Sequence, residues 1–404
     1  MDIRPYDHER DFDAVVRIWK EVGWLESDDH QAGLEALASV GNATVAVMDG
    51  DPECFSHWTP GDMVHTGTVL PFAGITALTT SRIARRQGFA TALTARALTD
   101  ARAAGHAVAG LGIFDQGFYD RFGFGTTAYE HRVQFDPASL RIDVPHRTPV
   151  RIGPDDWKDV HTAMRNRMRH HGSLTLEPPE MITAELTWTE KPFGLGYRDD
   201  DGTLTHFVFG PAKGEQGPYS IWMSAYQTGE QLLELLRLIK ELGDQVVSIA
   251  MMEPPEIQFQ DLMDRPFRQR TRSIKSDHET VNRALAFSQM RILDLPACVA
   301  AHSWPGPEVR FDLTIDDPLD GITEGAGLSG DYSVTVGAPS SIAEGHAGGL
   351  PLMEASINAF TRFWFGVRPA SSLAITDRLA APAELLADLD VAVRLPTPSF
   401  GWFI

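Results

Sequence analysis

The sequence predicts an α/β (α+β) protein built from three units. Strand-like and helix-like segments alternate along the first two thirds of the chain, and the order strand, strand, helix, strand occurs there twice. The last third alternates short strand patterns with one aromatic-rich helical stretch. At 404 residues the chain is also longer than one ordinary core sustains. "RIDVPHRTPVRIGPDD", with three prolines, reads as the first linker, and the expected units are 1–147, 148–288 and 289–404.

Phe12, Val15, Val16, Trp19 and Val22 recur at helical spacing between Asp11, placed to cap, and Gly23, placed to stop. "NATVAVMDGDPECFSHW" alternates around Asp49-Gly50, a hairpin turn signal, so two antiparallel strands follow. "FAGITALTTS" is a further strand, and "FATALTARALTDARAAG", rich in Ala and Leu and closed by Gly105, is a helix. "AVAGLGIF" reads as a short buried strand, and "GFYDRFGFG" as a turn of helix leading into a glycine-broken segment.

In the second unit "TLTHFVFG" and "GPYSIWMSAY" read as strands and "QVVSIAMM" as another. Between them "EQLLELLRLIKELG" is a helix with Leu232, Leu233, Leu236, Ile239 and Leu242 on one face. The third unit begins near Met290, with strands in "VRFDLTID" and "DYSVTVG" and a helix over "LPLMEASINAFTRFWFGV".

Acidic residues outnumber basic ones 55 to 35, for a formal net charge of -20. That balance disfavours wrapping a polyphosphate backbone, so no nucleic-acid partner is expected, and it favours a small cationic molecule entering an acidic cleft. Cys54 and Cys298 lie far apart and outside any metal-ligand spacing, which excludes a disulfide framework. His170-His171 and the pair His57 and His65 lack further ligands at metal spacing, so no metal is expected. "GLSG" around Ser329 lacks the frame of a nucleophile elbow. The amino terminus is charged throughout, and no stretch approaches the roughly 18 apolar residues of a membrane span, so a cytoplasmic protein with no membrane partner is expected.

Against this acidic background, "SRIARRQGFATAL" places Arg82, Arg85 and Arg86 just before a helix start. Cations at a helix amino end oppose the macrodipole unless an anion joins them. A helix beginning near Gly88 points its free backbone N–H groups into one hollow, Gly88 admits a diphosphate with no Cβ in the way, and Ala90 keeps the second approach small.

The spacing Arg85-x-x-Gly88-x-Ala90 after a strand, followed after the next strand by "FYDRFGFG", resembles the GCN5-related N-acetyltransferases (GNAT). The order of units narrows the resemblance to their enhanced-intracellular-survival (Eis) family, across essentially the whole chain. It implies a catalytic GNAT domain, and a second, degenerate GNAT-like domain whose loop "YQTGEQLLE" carries no arginine. It also implies a sterol-carrier-protein-like domain that supplies the terminal carboxylate. Carried over by position, Leu78, Thr79 and Thr80 line the acetyl and pantetheine arm of acetyl-CoA. Arg85, Arg86, Gln87, Gly88, Phe89, Ala90 and Thr91 form the phosphate loop, and Phe114 and Asp115 lie where the next strand splays. Tyr119 matches the general acid, and the α-carboxylate of Ile404 the general base. Arg82, Thr80 and Ile404 depart from a proline, a valine and an aromatic residue common at these places.

The activity implied is acetyl transfer to a primary amine of a small cationic acceptor, such as an aminoglycoside, a polyamine or lysine. Assembly as a homo-oligomer, a hexamer in that family, is implied too. Trp24, with Glu26, Asp28 and Asp29 close behind, offers an aromatic and acidic rim for the acceptor. Two other readings stand beside it: a hydrophobic-ligand carrier, suggested by "AFTRFWFGV", and a non-catalytic acetyl-CoA sensor that keeps the loop without the chemistry.

Overall fold

A computed structural model describes residues 2–27, 30–264 and 279–404. The first helix, His8–Val22, starts one turn earlier than the apolar spacing predicts. Asp7 caps it by accepting from Arg10 N–H, which frees Asp11 for a buried ion pair with Arg4 at 2.6 Å; Gly23 ends the helix in the left-handed conformation.

The first sheet then runs through Asn42–Met48, Asp51–His65 and Thr68–Thr80 as antiparallel neighbours, and Val108–Gly112 joins Thr68–Thr80 in parallel. The helix Phe89–Ala103 makes that parallel crossover. A parallel strand buried on both sides needs a second partner for its backbone, and Ser288–Ile292 supplies it, pairing Val108–Gly112 on one side and Gly125–Thr126 on the other. Leu174–Leu176 joins the same sheet beside Asp51–His65. Sheet pairing thus crosses the expected boundary at 288. It crosses the one at 147 as well, because Glu130–Phe135 sits in the sheet of the second unit, between Ile249–Met252 and Val281–Leu285.

The second unit repeats the pattern of the first. Tyr219–Ile221 and Ile249–Met252 pair in parallel with the helix Gly229–Glu241 between them. "GPYSIWMSAY" is two strands, not one: Tyr219–Ile221 and Met223–Ala225 belong to different sheets and part at Trp222. In the third unit "LPLMEASINAFTRFWFGV" divides likewise. Leu352–Ser356 is a strand parallel to Val309–Asp316, and Ser356 caps the helix Ile357–Trp364 that follows. Phe360, Phe363, Trp364 and Phe365 are all buried in the core. Among the described residues no helix is long and apolar enough to cross a membrane.

Two buried polar joints tie the units together. Arg291, on the strand that completes the first sheet, pairs with Asp317 of the third unit through 2.6 and 3.0 Å contacts, and both side chains are essentially inaccessible. The same guanidinium donates to the Phe122 carbonyl, and Asp317 also accepts from Leu328 N–H at 2.7 Å. The second joint is a histidine trio, His65, His171 and His302, far apart in the sequence, with ring centroids 5.1 and 6.1 Å from His65. Both nitrogens of His65 are buried without a partner. Among the described residues no set of His, Cys, Asp and Glu side chains is arranged to hold a metal ion.

Removing one partner of the buried ion pair strands the other charge, so Asp317→Ala should cost about 3–5 kcal/mol of unfolding free energy, read by urea denaturation. Burial, with the neighbouring histidines, pushes the His65 imidazole down to about 3, and burial lowers His171 and His302 too. These rings are neutral when folded and charge near pH 6.5 when unfolded, so the unfolded chain binds more protons and stability falls as pH drops below about 6.5. His65→Phe should remove up to about 1.4 kcal/mol per pH unit from that slope between pH 6 and 4; an unchanged slope would refute the assignment.

Candidate active site

The loop between strand Thr68–Thr80 and helix Phe89–Ala103 is shaped by two left-handed residues, Arg86 at φ 60 and Gly88 at φ 85. Gly88 is the N-cap residue, and no side chain caps the helix. The first N–H groups of a long helix are therefore left for another acceptor. Arg85 and Arg86 are exposed and have no hydrogen-bond or ion-pair partner among the described residues. Nothing lies within 4 Å of a Cβ built on Gly88.

The neighbouring strands open a gap beside this loop. Pairing between Thr68–Thr80 and Val108–Gly112 covers Phe72 to Gly74 against Val108 to Gly110 and stops there. Ala77 takes a left-handed φ of 56, and the ladder to Asp51–His65 shifts register beside it, as a β-bulge does. Beyond Gly74 the two strands no longer pair, and a cavity of about 1790 Å³ opens along them.

All of the donor-site residues expected from the sequence line this cavity except Gln87, whose side chain turns back to the Ile83 carbonyl at 2.8 Å. Phe114 stands on its wall, 83% exposed. Asp115 also serves a local purpose, capping the short helix Gln116–Asp120 by accepting from Phe118 N–H at 3.2 Å. Trp24 lines the cavity; Glu26 is exposed away from it, and Asp28 lies outside the described residues.

Tyr119 sits on that short helix, 8% exposed, edge-on to Phe118 and Phe124. Burial, aided by the charge of Asp115, pushes its phenol up to about 12, so the group keeps its proton at neutral pH. The third unit grips this helix: Asn358 Nδ2 donates to the Asp120 and Phe124 carbonyls, each at 2.7 Å, and Gln289 Nε2 donates to Asp120 at 2.6 Å.

The chain's last residues return to the same cavity. Phe400 O accepts from Leu174 N–H at 2.9 Å and Arg167 at 3.3 Å, Trp402 lies beneath the Arg167 guanidinium and edge-on to His161, and Phe403 meets Trp222. Ile404 then lies on the face of the splayed strands. A Cβ on Gly112 would come within 2.8 Å of the Ile404 carboxyl oxygen, and one on Gly74 within 2.8 Å of Ile404 Cγ2. A Cβ on Gly110 would crowd Phe72 and Phe400. These glycines form a trough that admits the tail; three glycines inside strand segments are the sequence signal for such an approach, and pattern reading passed over it.

Sequence reasoning also missed the glutamates on the cavity wall, Glu130, Glu185, Glu253 and Glu256, and burial perturbs the first two. Glu130 accepts from Ser399 Oγ at 3.0 Å, and burial raises its pKa. Glu185, on the helix Glu180–Trp188, is raised to about 7 by burial alone. Nothing in their local sequence marks them, since only packing between units takes them out of water.

Residues 2–127 match the family model for an acetyltransferase (GNAT) domain. An uncharacterized N-acetyltransferase of Streptomyces avermitilis is 34% identical over 169 residues, a stretch that spans 39% of this chain and 39% of that protein. At the level of structure, a probable N-acyltransferase from Enterococcus faecalis matches with a TM-score of 0.79 at 18% identity, covering 100% of this chain and 99% of its own. Residues 2–127 are a GNAT acetyltransferase domain. Eis1 from Mycobacterium abscessus matches over 100% of both chains with a TM-score of 0.75 at 16% identity, so the chain as a whole shares its fold with that structure.

Filling the trough should dislodge the tail. Gly112→Val is expected to speed release of Ile404 and Phe403 by a carboxypeptidase, followed by mass spectrometry, whereas Gly229→Ala, at a site with open space, should leave the rate unchanged.

Proposed function

We propose that the protein is an acetyl-CoA-dependent N-acetyltransferase acting on a primary amine of a small cationic acceptor. One observation carries this reading. A single cavity is lined by an uncapped helix start flanked by Arg85 and Arg86, and also by Tyr119 and Ile404.

The helix start fits a diphosphate, by free N–H groups, unpaired guanidinium charge and open space at Gly88. Leu78, Thr79 and Thr80 run along the gap, where a backbone edge without a strand partner would hold a pantetheine arm and polarise a carbonyl. Acetyl-CoA, when bound, supplies an activated thioester. The chain's own groups handle the protons. The Ile404 carboxylate takes a proton from the acceptor's ammonium, leaving a neutral nitrogen whose lone pair forms the C–N bond as the C–S bond breaks. Tyr119, still protonated at neutral pH, gives its proton to the departing thiolate and regains one through solvent from the acylated nitrogen, which sheds its second proton to become the amide, while Ile404 returns its own to solvent. The second unit, without a basic loop, and the third unit frame the acceptor side and deliver the tail.

Protein mixed with acetyl-CoA and a panel of polyamines, aminoglycosides and lysine peptides should release thiol and add the acetyl mass to an acceptor. Silence across the panel would overturn the reading. Tyr119→Phe should lower kcat by about 10²–10⁴ with little change in the KM for acetyl-CoA. Tight donor binding with an unchanged rate in that variant would point instead to a sensor.

A further inference from the structure

Glu185 is a carboxylate for which transfer as described above has no use. It lines the same cavity as Ile404, and its side chain has no hydrogen-bond or ion-pair partner among the described residues. Its position follows from the packing of its helix. Met181, one turn earlier on the same helix face, accepts from Thr59 Oγ1 at 3.6 Å. Thr59 pairs with Gly74, and residues directly opposite in a ladder share a face of the sheet. That is the face on which Ile404 Cγ2 packs. Glu185 therefore stands one helical turn beyond the contact that borders the seat of the chain terminus.

The surroundings favour a positive charge. Trp24, Trp222 and Phe403 line the same cavity, with Trp222 and Phe403 in edge contact at 5.1 Å. Aromatic faces and a carboxylate are the two groups that hold an ammonium out of water. The burial that lifts the Glu185 carboxyl has no compensating cation in the protein, so a ligand that brings one is bound more tightly than a neutral one. One carboxylate, at Ile404, suffices to take the proton of the reacting amine.

We infer that Glu185 anchors a second, non-reacting ammonium group of the acceptor, so that the site selects molecules carrying at least two amino groups over monoamines. This rests on the amine-acetyltransferase reading.

The test compares 1,5-diaminopentane with n-pentylamine, as acceptors and as ligands, in the wild-type protein and in Glu185→Gln and Glu185→Asp. Charge-assisted contacts of this kind are worth about ten- to a hundredfold in affinity. Glu185→Gln should lower kcat/KM for the diamine by at least about tenfold, mostly through KM, while that for the monoamine stays within about twofold; Glu185→Asp should recover part of the loss. Equal losses with both amines, or none, overturn the inference. Calorimetric binding of the diamine without acetyl donor separates the two readings. If no amine is acetylated yet the diamine binds the wild-type protein and Glu185→Gln weakens it, the anchor stands and transfer falls. If the diamine is acetylated but its binding is indifferent to Glu185, or the wild-type protein does not bind it, the anchor falls.

Discussion

The site depends on a sheet surface from which side chains have been left out. Two parallel strands pair for a few residues and then part, and where they part the face carries Gly74, Gly110 and Gly112. A backbone without Cβ atoms lets another segment lie flat on it. The tail occupies that space and is fastened upstream by the Phe400 carbonyl, which accepts from both Leu174 N–H and Arg167. Chain ends ordinarily fray, and here Phe400 and Trp402 are buried while Phe403 stays half exposed against Trp222.

The cavity wall carries two kinds of electrostatic group. At the loop, cationic side chains gather at the positive end of a helix, an arrangement that is unfavourable until an anion arrives. Elsewhere on the cavity wall Tyr119, Glu130 and Glu185 are each held toward the protonated form by burial. Arg167 lies close to the tail yet donates only to carbonyls, and burial pushes its guanidinium down to about 9. It fixes backbone without cancelling the acidic character of the pocket.

The third unit shapes the site from two directions. Through Asn358 and the Arg291–Asp317 pair it holds the turn that carries Tyr119, and through its last residues it delivers Ile404. Both contacts cross from one unit to another. The interlocked sheets have the same effect, since a strand from residues 288–292 completes the sheet on which the cavity is built.

The amino-acid sequence by itself determined the alternation of strands and helices, the basic loop before Gly88 and the aromatic segment holding Tyr119, because each is written in neighbouring residues by periodicity, turn chemistry or charge. It did not determine where the units divide, nor that "GPYSIWMSAY" and "LPLMEASINAFTRFWFGV" each split in two, because pairing partners lie far off in the chain. Tertiary structure alone decided that Gln87 turns away, that Asp115 doubles as a helix cap, and that Glu185 and Glu130 enter the cavity. Burial is a property of what packs around a residue, and a carboxyl group acquires a shifted proton affinity only when distant segments remove its water.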